Sequence, residues 1–239
     1  MTYNNFAYHY DKMTADVNYS WWLNHITKNV PTGSRILDVA CGTGTLTLAL
    51  KNLGYDIFGL DLSADMLVVA KEKADHFGAD INFIQRDMKE LDGLQGFDCA
   101  LIALDSLNYL TNATDVQHTI AEIYQLLNPE GIFIFDVHTP HKMLNTLKDY
   151  LFVENDDNLT YIWHVEAGEQ PLSVVHELTM FTKNNDGSYS KFLETHQQRT
   201  FEMAQYENWL ADAGFEVKTR DGDQDRQLFI ARKVGKKNA

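Results

Sequence analysis

The stretch Arg35-Ile36-Leu37-Asp38-Val39-Ala40-Cys41-Gly42-Thr43-Gly44-Thr45-Leu46-Thr47 constrains this chain more than any other. It reads as a short buried strand, a glycine turn and a helix continuing through Leu48, Ala49, Leu50 and Leu53. A strand entering a helix through glycines makes a concave turn with free backbone N–H groups, suited to a small polar ligand. Gly-x-Gly alone says little, because any tight strand-to-helix turn favours residues without a Cβ. The flanking acids say more. Asp38 lies four residues before Gly42, and a second strand, 56–60, ends in Asp61, seventeen residues after Gly44. An open α/β sheet holds ribose hydroxyls with a carboxylate at the tip of its second strand.

The third position of the glycine pattern separates two cofactor classes. A dinucleotide fingerprint needs a small residue there for close helix–strand packing. This chain has Thr47, which disfavours a nicotinamide or flavin. Asp38 followed by Gly42-x-Gly44 instead resembles motif I of the class I S-adenosylmethionine-dependent methyltransferases. Asp61 then matches that family's ribose-binding acid, and Arg86-Asp87-Met88 its adenine-binding turn. The resemblance is clear over residues 34–137 and looser elsewhere. It implies S-adenosyl-L-methionine as cofactor and S-adenosyl-L-homocysteine as product. The implied cofactor residues are Tyr10, Asp38, Gly42, Gly44, Asp61, Leu62, Asp87, Met88 and Asp105. Residues 5–13 resemble the segment that folds over bound cofactor in this family, with Tyr10 or Tyr3 as its lid residue.

Along the chain, Trp22, Ile26 and Val30 fall at helical spacing after an aromatic lead-in. Ser63 suits an N-cap, and residues 97–104 form a nearly unbroken apolar run, as a central parallel strand requires. A helix over 115–127, a turn at Asn128-Pro129-Glu130-Gly131 and a fifth strand over 132–137 follow. This alternation predicts a doubly wound, seven-stranded, mostly parallel sheet with helices on both faces. From 140 to 200 the period becomes two, with a hairpin signal at Asn184-Asn185-Asp186-Gly187-Ser188. We therefore expect one Rossmann-like domain from residues 1–139 and 201–239, carrying an antiparallel β insertion over 140–200. A helix over 203–213, stopped by Gly214, a last strand pair and a frayed tail complete the chain.

Such an insertion resembles that of glycine/sarcosine-type and aminosugar N-methyltransferases, where it covers the acceptor or builds a dimer contact. It implies a small-molecule acceptor in an enclosed pocket and a homodimer through the insertion. Asp105 sits where strand four opens onto the reacting methyl. The sequence there, Asp105-Ser106-Leu107-Asn108, lacks the prolines of methyltransferases acting on planar amines, which leaves amine, hydroxyl and carbon acceptors open. A protonated amine needs a base, for which Asp105, Tyr109, His138, His164 and His196 are candidates. Asp105, His138 and His196 are the catalytic set expected here, with Tyr109, Trp163, Glu194, His196 and Arg199 lining the acceptor. Glu194, His196 and Gln198 alternate onto one strand face.

A net charge of −14, from 34 acids against 20 bases, repels polyanions and makes a nucleic-acid partner unexpected. Cys41 and Cys99 stand apart, so reduced thiols and no metal site are expected. With neither a membrane-length apolar run nor a targeting pattern in view, the expectation is a cytoplasmic protein. The rival readings are an RNA or protein methyltransferase, a non-catalytic S-adenosylmethionine-binding assembly or regulatory protein, and a dehydrogenase.

Overall fold

Residues 5–184 and 186–234 are described by the computed structural model; Tyr3, Asn185 and the tail 235–239 lie outside them. Helix α1 (Asn5–Met13) takes in the expected aromatic lead-in, and α2 (Tyr19–Asn29) follows, its first turn capped by Asn18, whose Oδ1 accepts from the Trp21 N–H at 3.0 Å. The alternation then runs β1 (Arg35–Val39), α3 (Thr45–Asn52), β2 (Asp56–Asp61), α4 (Ala64–His76), β3 (Asn82–Gln85) and β4 (Phe97–Ile102). Ser63 caps α4 as its sequence position suggests, accepting from the Met66 N–H. Helix α5 (Ala113–Leu126) leads into β5 (Leu127–His138).

Period-two alternation in the strands sorts the core into two halves. Ile36, Cys99, Leu101, Ile134 and Ile230 face Trp22 and Ile26 of α2 and Leu46 and Leu50 of α3. Their neighbours Leu37, Val39, Ala100, Ile102, Phe133 and Phe135 face Val116, Ile120 and Ile123 of α5. Tyr206 and Leu210 of α6 (Met203–Ala213) complete that second face. Gly214, at φ 107°, ends α6 before β10 (Phe215–Gly222) and β11 (Arg226–Lys233). The resulting sheet has the order β10-β11-β5-β4-β1-β2-β3, with β11 the one reversed strand. Order reverses at β1 and β4, whose carboxyl ends therefore flank the crevice where open α/β sheets bind ligands.

The insertion is a second, antiparallel sheet of β6 (Leu151–Asn155), β7 (Leu159–Ala167), β8 (Ser173–Lys183) and β9 (Tyr189–Arg199), in that order. Two details differ from expectation. Strand β6 carries no period-two signal because all five of its residues are exposed at the sheet edge. The expected turn at Asn128-Pro129-Glu130-Gly131 is the irregular start of β5: Glu130 has φ 64° and the pairing to β4 slips between Phe97 and Cys99.

Replacement of Gly44, in the turn between β1 and α3, is opposed twice. Its φ is 71°, and an added Cβ would lie 3.0 Å from the Ala70 Cβ. Gly44→Ala is expected to lower the unfolding free energy by at least about 1–2 kcal/mol, the cost of the left-handed conformation alone. Chemical denaturation checks this; an unchanged midpoint would mean the turn relaxes freely.

Candidate active site

Three connected cavities run along the carboxyl ends of β1, β2 and β4. The largest, about 650 Å³, is lined by Gly42, Asp61, Leu62, Asp87 and Met88 from the sheet edge and by Phe6 and Tyr10 from α1. A narrow space of about 30 Å³ continues past Asp38, Gly42 and Leu104. The third, about 260 Å³, opens between β4, β5 and the insertion. Tyr10 borders all three. Its phenol pKa is pushed up by burial and by nearby Asp105, so it stays protonated and neutral.

The motif I turn is organised differently from the free-amide cradle expected of it. The Gly42 N–H donates to Asp61 Oδ2 at 2.8 Å, and the Gly44 N–H donates to the Cys41 carbonyl. Asp61 also accepts from the Ser63 N–H at 2.8 Å, so its carboxylate fixes both the motif I loop and the start of α4. Burial raises its pKa, against the opposing pull of these backbone donors. Asp38 is 2 % exposed and accepts from Thr47 Oγ1 at 2.6 Å. Burial raises its pKa to about 7 although the Thr47 bond pulls it down. Thr47, which in the sequence only argued against a dinucleotide, is thus the hydrogen-bond partner of the motif I acid. Asp87 braces its own turn through the Lys89 N–H at 2.9 Å while lining the cavity.

Helix α1 is latched over this turn. Asp11 accepts from Thr43 Oγ1 and from Lys73 Nζ, both at 2.5 Å, and Lys73 also donates to Thr45. Three residues bordering the cavities without being glycine hold left-handed backbone: Ala40, Leu104 and Asp105, at φ 58°, 57° and 56°. Strain of this kind costs about 1–3 kcal/mol per residue and persists only where surrounding contacts impose it.

Those contacts are a polar network beneath the third cavity. Arg226 donates to Asp105 Oδ1 at 2.8 Å and, through its other nitrogen, to Asp136, which is fully buried. The Asp105 N–H donates to Asp136 Oδ1 at 3.0 Å. Gln198 Nε2 donates to Asp105 Oδ2 at 3.0 Å, and His138 Nε2 lies 3.3 Å from the same oxygen. Burial works against the Asp105 charge, but His138 and Arg226 outweigh it and hold the pKa down to about 2. Asp136 is raised to about 6 by burial, and His138 is lowered to about 4 by burial despite Asp105.

The network extends into the insertion with fixed direction. Trp163 Nε1–H can only donate, so His176 Nδ1, 3.1 Å away, accepts. His176 Nε2–H then donates to Gln198 Oε1 at 3.0 Å, leaving the Gln198 amide nitrogen for Asp105. The sequence offers no pointer to His176 beyond an apolar neighbourhood on an alternating strand. Asn108, fully buried, joins the same halves: its Oδ1 accepts from the His138 N–H and its Nδ2 donates to the Arg199 carbonyl, each at 2.8 Å.

Of the residues expected at the acceptor, Tyr109, Trp163 and His196 line the third cavity, and Glu194 and His196 the first. Arg199 does not. It lies on the other face of β9, donating to the Thr111 and Pro171 carbonyls and covering Phe201. His164 is likewise away from the cavities, 38 % exposed beside Glu166 and Glu177. His196 is clamped by Phe6 and Tyr109, with ring centroids 5.3 and 5.8 Å away, and its buried Nε2 has no hydrogen-bond partner among the described residues. Burial lowers its pKa.

Set beside known proteins, residues 36–131 match the methyltransferase domain family. Over 98% of its length the chain is 40% identical to the whole of a protein of Geobacillus sp. (strain WCH70) named "putative methyltransferase". The crystal structure of an S-adenosylmethionine-dependent methyltransferase from Clostridium acetobutylicum ATCC 824 matches at TM-score 0.86 and 26% identity, covering 98% of this chain and 100% of that one. The sugar N-methyltransferase KedS8 from Streptoalloteichus sp. ATCC 53650 shares the fold, at TM-score 0.77 and 21% identity over 95% and 92% of the two chains. The chain belongs to the class I S-adenosylmethionine-dependent methyltransferases. Among the described residues no helix is long and apolar enough to cross a membrane.

His138 gives the site a pH signature. Its pKa falls from 6.5 in the unfolded chain to about 4 in the fold, so between those values the unfolded state binds the extra proton. Its contribution is complete above pH 6.5 and is lost as the pH falls to 4, at most about 3 kcal/mol. The raised Asp38 and Asp136 carboxyls act in the opposite direction over pH 4–7, so the quantity to read is the difference from His138→Gln. Wild type should lose its advantage over His138→Gln as the pH drops from 7 to 4. A difference independent of pH in urea titrations would show that His138 does not titrate this way.

Proposed function

We propose that this protein transfers the methyl group of S-adenosylmethionine to a small-molecule amine or hydroxyl by in-line displacement. The observation that carries this reading is the placement of Tyr10 and His196 on the boundary between the 650 Å³ and 260 Å³ cavities. One cavity has the acids and apolar walls for an adenosine, and the other has the polar floor for an acceptor. The fit to the cofactor is supported at Gly42, which borders the first two cavities. An added Cβ there meets nothing within 4 Å, so the turn leaves open the space a ligand would take.

When bound, S-adenosylmethionine supplies an electrophilic methyl on sulfur. Asp61 would accept from the ribose hydroxyls with lone pairs not used by Gly42 and Ser63. Asp87 and Met88 would meet the adenine edge, with Leu62, 65 % exposed, as an apolar wall. Asp38, on the narrow cavity, would hold the amino group of the methionine end. Tyr10 and Phe6 shut water from the transfer path. Positioning of this kind supplies most of the acceleration of a displacement.

The geometry favours His196 as proton acceptor over the other candidates. Asp105 is held ionised by Arg226 and Gln198, so its task is to fix the floor and not to take a proton. His138 turns its Nε2 to Asp105, and its Nδ1 is buried without a partner among the described residues, but it borders the third cavity alone, whereas His196 borders both; both nitrogens of His176 are engaged. In its Nδ1–H tautomer His196 has an Nε2 lone pair without a partner among the described residues, covered by Phe6 and Tyr109, and burial lowers its pKa in favour of the neutral ring. The small, aromatic-walled third cavity and the charge of −14 support a small acceptor over RNA.

The test is to screen amines and hydroxyl compounds for S-adenosylhomocysteine release, then compare wild type with His196→Gln. The variant should bind cofactor normally and lose on the order of 100-fold or more in kcat/KM, with wild-type kcat/KM falling as acid protonates His196. Equal turnover by the variant would assign the proton elsewhere. Asp61→Ala should weaken S-adenosylhomocysteine binding by about 1–3 kcal/mol and also lower the melting temperature of the free protein, because two backbone donors lose their acceptor. Normal calorimetric affinity in that variant would remove Asp61 from the cofactor site.

A further inference from the structure

Lys142 stands out in the third cavity. It begins a short helical turn (Lys142–Thr146) directly after β5 and lines the cavity with Arg226 and His138. Its ammonium makes no hydrogen bond or ion pair among the described residues. The carboxylates in its field are each engaged elsewhere. Asp105 holds Arg226 and Gln198, Asp136 holds Arg226 and the Asp105 N–H, and Asp225 holds His141 and Thr146. The half-buried Lys142 therefore borders the cavity with an ammonium that has no acceptor among the described residues. A ligand oxyanion would supply it.

The opposite walls are aromatic. Tyr161 and Trp163 of β7 stand with Phe6, Tyr10 and Tyr109 around the space. The Trp163 indole N–H is already spent on His176, so what it offers a ligand is its apolar ring. The Arg226 guanidinium, bracketed by two carboxylates, has little positive charge to offer. At about 260 Å³ the cavity lies near the lower limit of ordinary small-molecule sites, roughly 300 Å³. One ring with one charged group is the size and polarity that fit.

We propose that the acceptor is a small planar-ring acid, its ring held among Tyr161, Trp163 and Tyr10 and its carboxylate paired with Lys142. This rests on the reading of the third cavity as the acceptor site and names the class of molecule it takes. Charge-assisted pairing in a partly desolvated cavity is strong enough to select an acid over its uncharged isostere. The ion pair would also orient the ring, leaving its other edge to meet His196 and the transfer path.

The probes are benzoate and its uncharged isostere benzamide, titrated calorimetrically into protein loaded with S-adenosylhomocysteine and into free protein. Benzoate should bind the loaded protein at least tenfold more tightly than benzamide. Lys142→Met should abolish that preference while leaving S-adenosylhomocysteine affinity unchanged. Equal binding of the two probes, a preference that survives Lys142→Met, or no binding of either would overturn the proposal. If the protein failed to take up S-adenosylhomocysteine yet still bound benzoate through Lys142, the methyl-transfer reading would fall and the ring-acid site would stand.

Discussion

The arrangement of the site depends on one guanidinium placed between two carboxylates. Arg226, the first residue of β11, reaches Asp105 at the end of β4 and Asp136 within β5, and so ties three neighbouring strands at their ligand-binding ends. A buried ion pair of this kind adds little net stability compared with an apolar substitute, because both charges leave water. Breaking it is another matter, since an uncompensated buried charge costs about 3–5 kcal/mol. The clamp therefore acts mainly by excluding alternatives. It holds Leu104 and Asp105 in left-handed backbone, which turns the Asp105 carboxylate toward the third cavity.

From Asp105 the constraint passes into the insertion. Because an indole can only donate, the chain Trp163 to His176 to Gln198 to Asp105 has a single consistent polarity, and the tautomer of His176 and the orientation of the Gln198 amide follow from it. Asn108 stitches the same two parts a second time through β5 and the end of β9. The wall that the insertion gives the third cavity is therefore not a loose lid. Its polar floor belongs to both sheets, and its cover, α1, is fastened to the motif I turn by Asp11, Thr43, Thr45 and Lys73.

The sheet was legible because burial alternates with period two in its strands and with helical spacing between them; Ile36 and Leu37 already assign the two faces of β1. Strand β6 was not, since an exposed edge strand leaves no pattern. That Gly42, Asp61, Asp87 and Met88 come to one cavity was legible because motif spacing reflects strand ends. What spacing could not show is where the hydrogen bonds go: Gly42 gives its N–H to Asp61, and Asp38 is paired by Thr47. In β9, alternation did bring Glu194, His196 and Gln198 onto one face, and the same alternation puts Arg199 on the other. His176, Arg226 and Lys142 come from strands and turns far apart in sequence, and only the packing of the two sheets brings them to one cavity.

On this structure, bound cofactor should lie along β1 and β2 with its sulfur at the mouth of the third cavity. A crystal structure with S-adenosylhomocysteine tests it most directly. The adenine should meet Asp87 and Met88, the ribose Asp61, and the sulfur should face the boundary formed by Tyr10 and His196. A cofactor whose sulfur points away from that boundary, or which occupies the third cavity itself, would contradict the account.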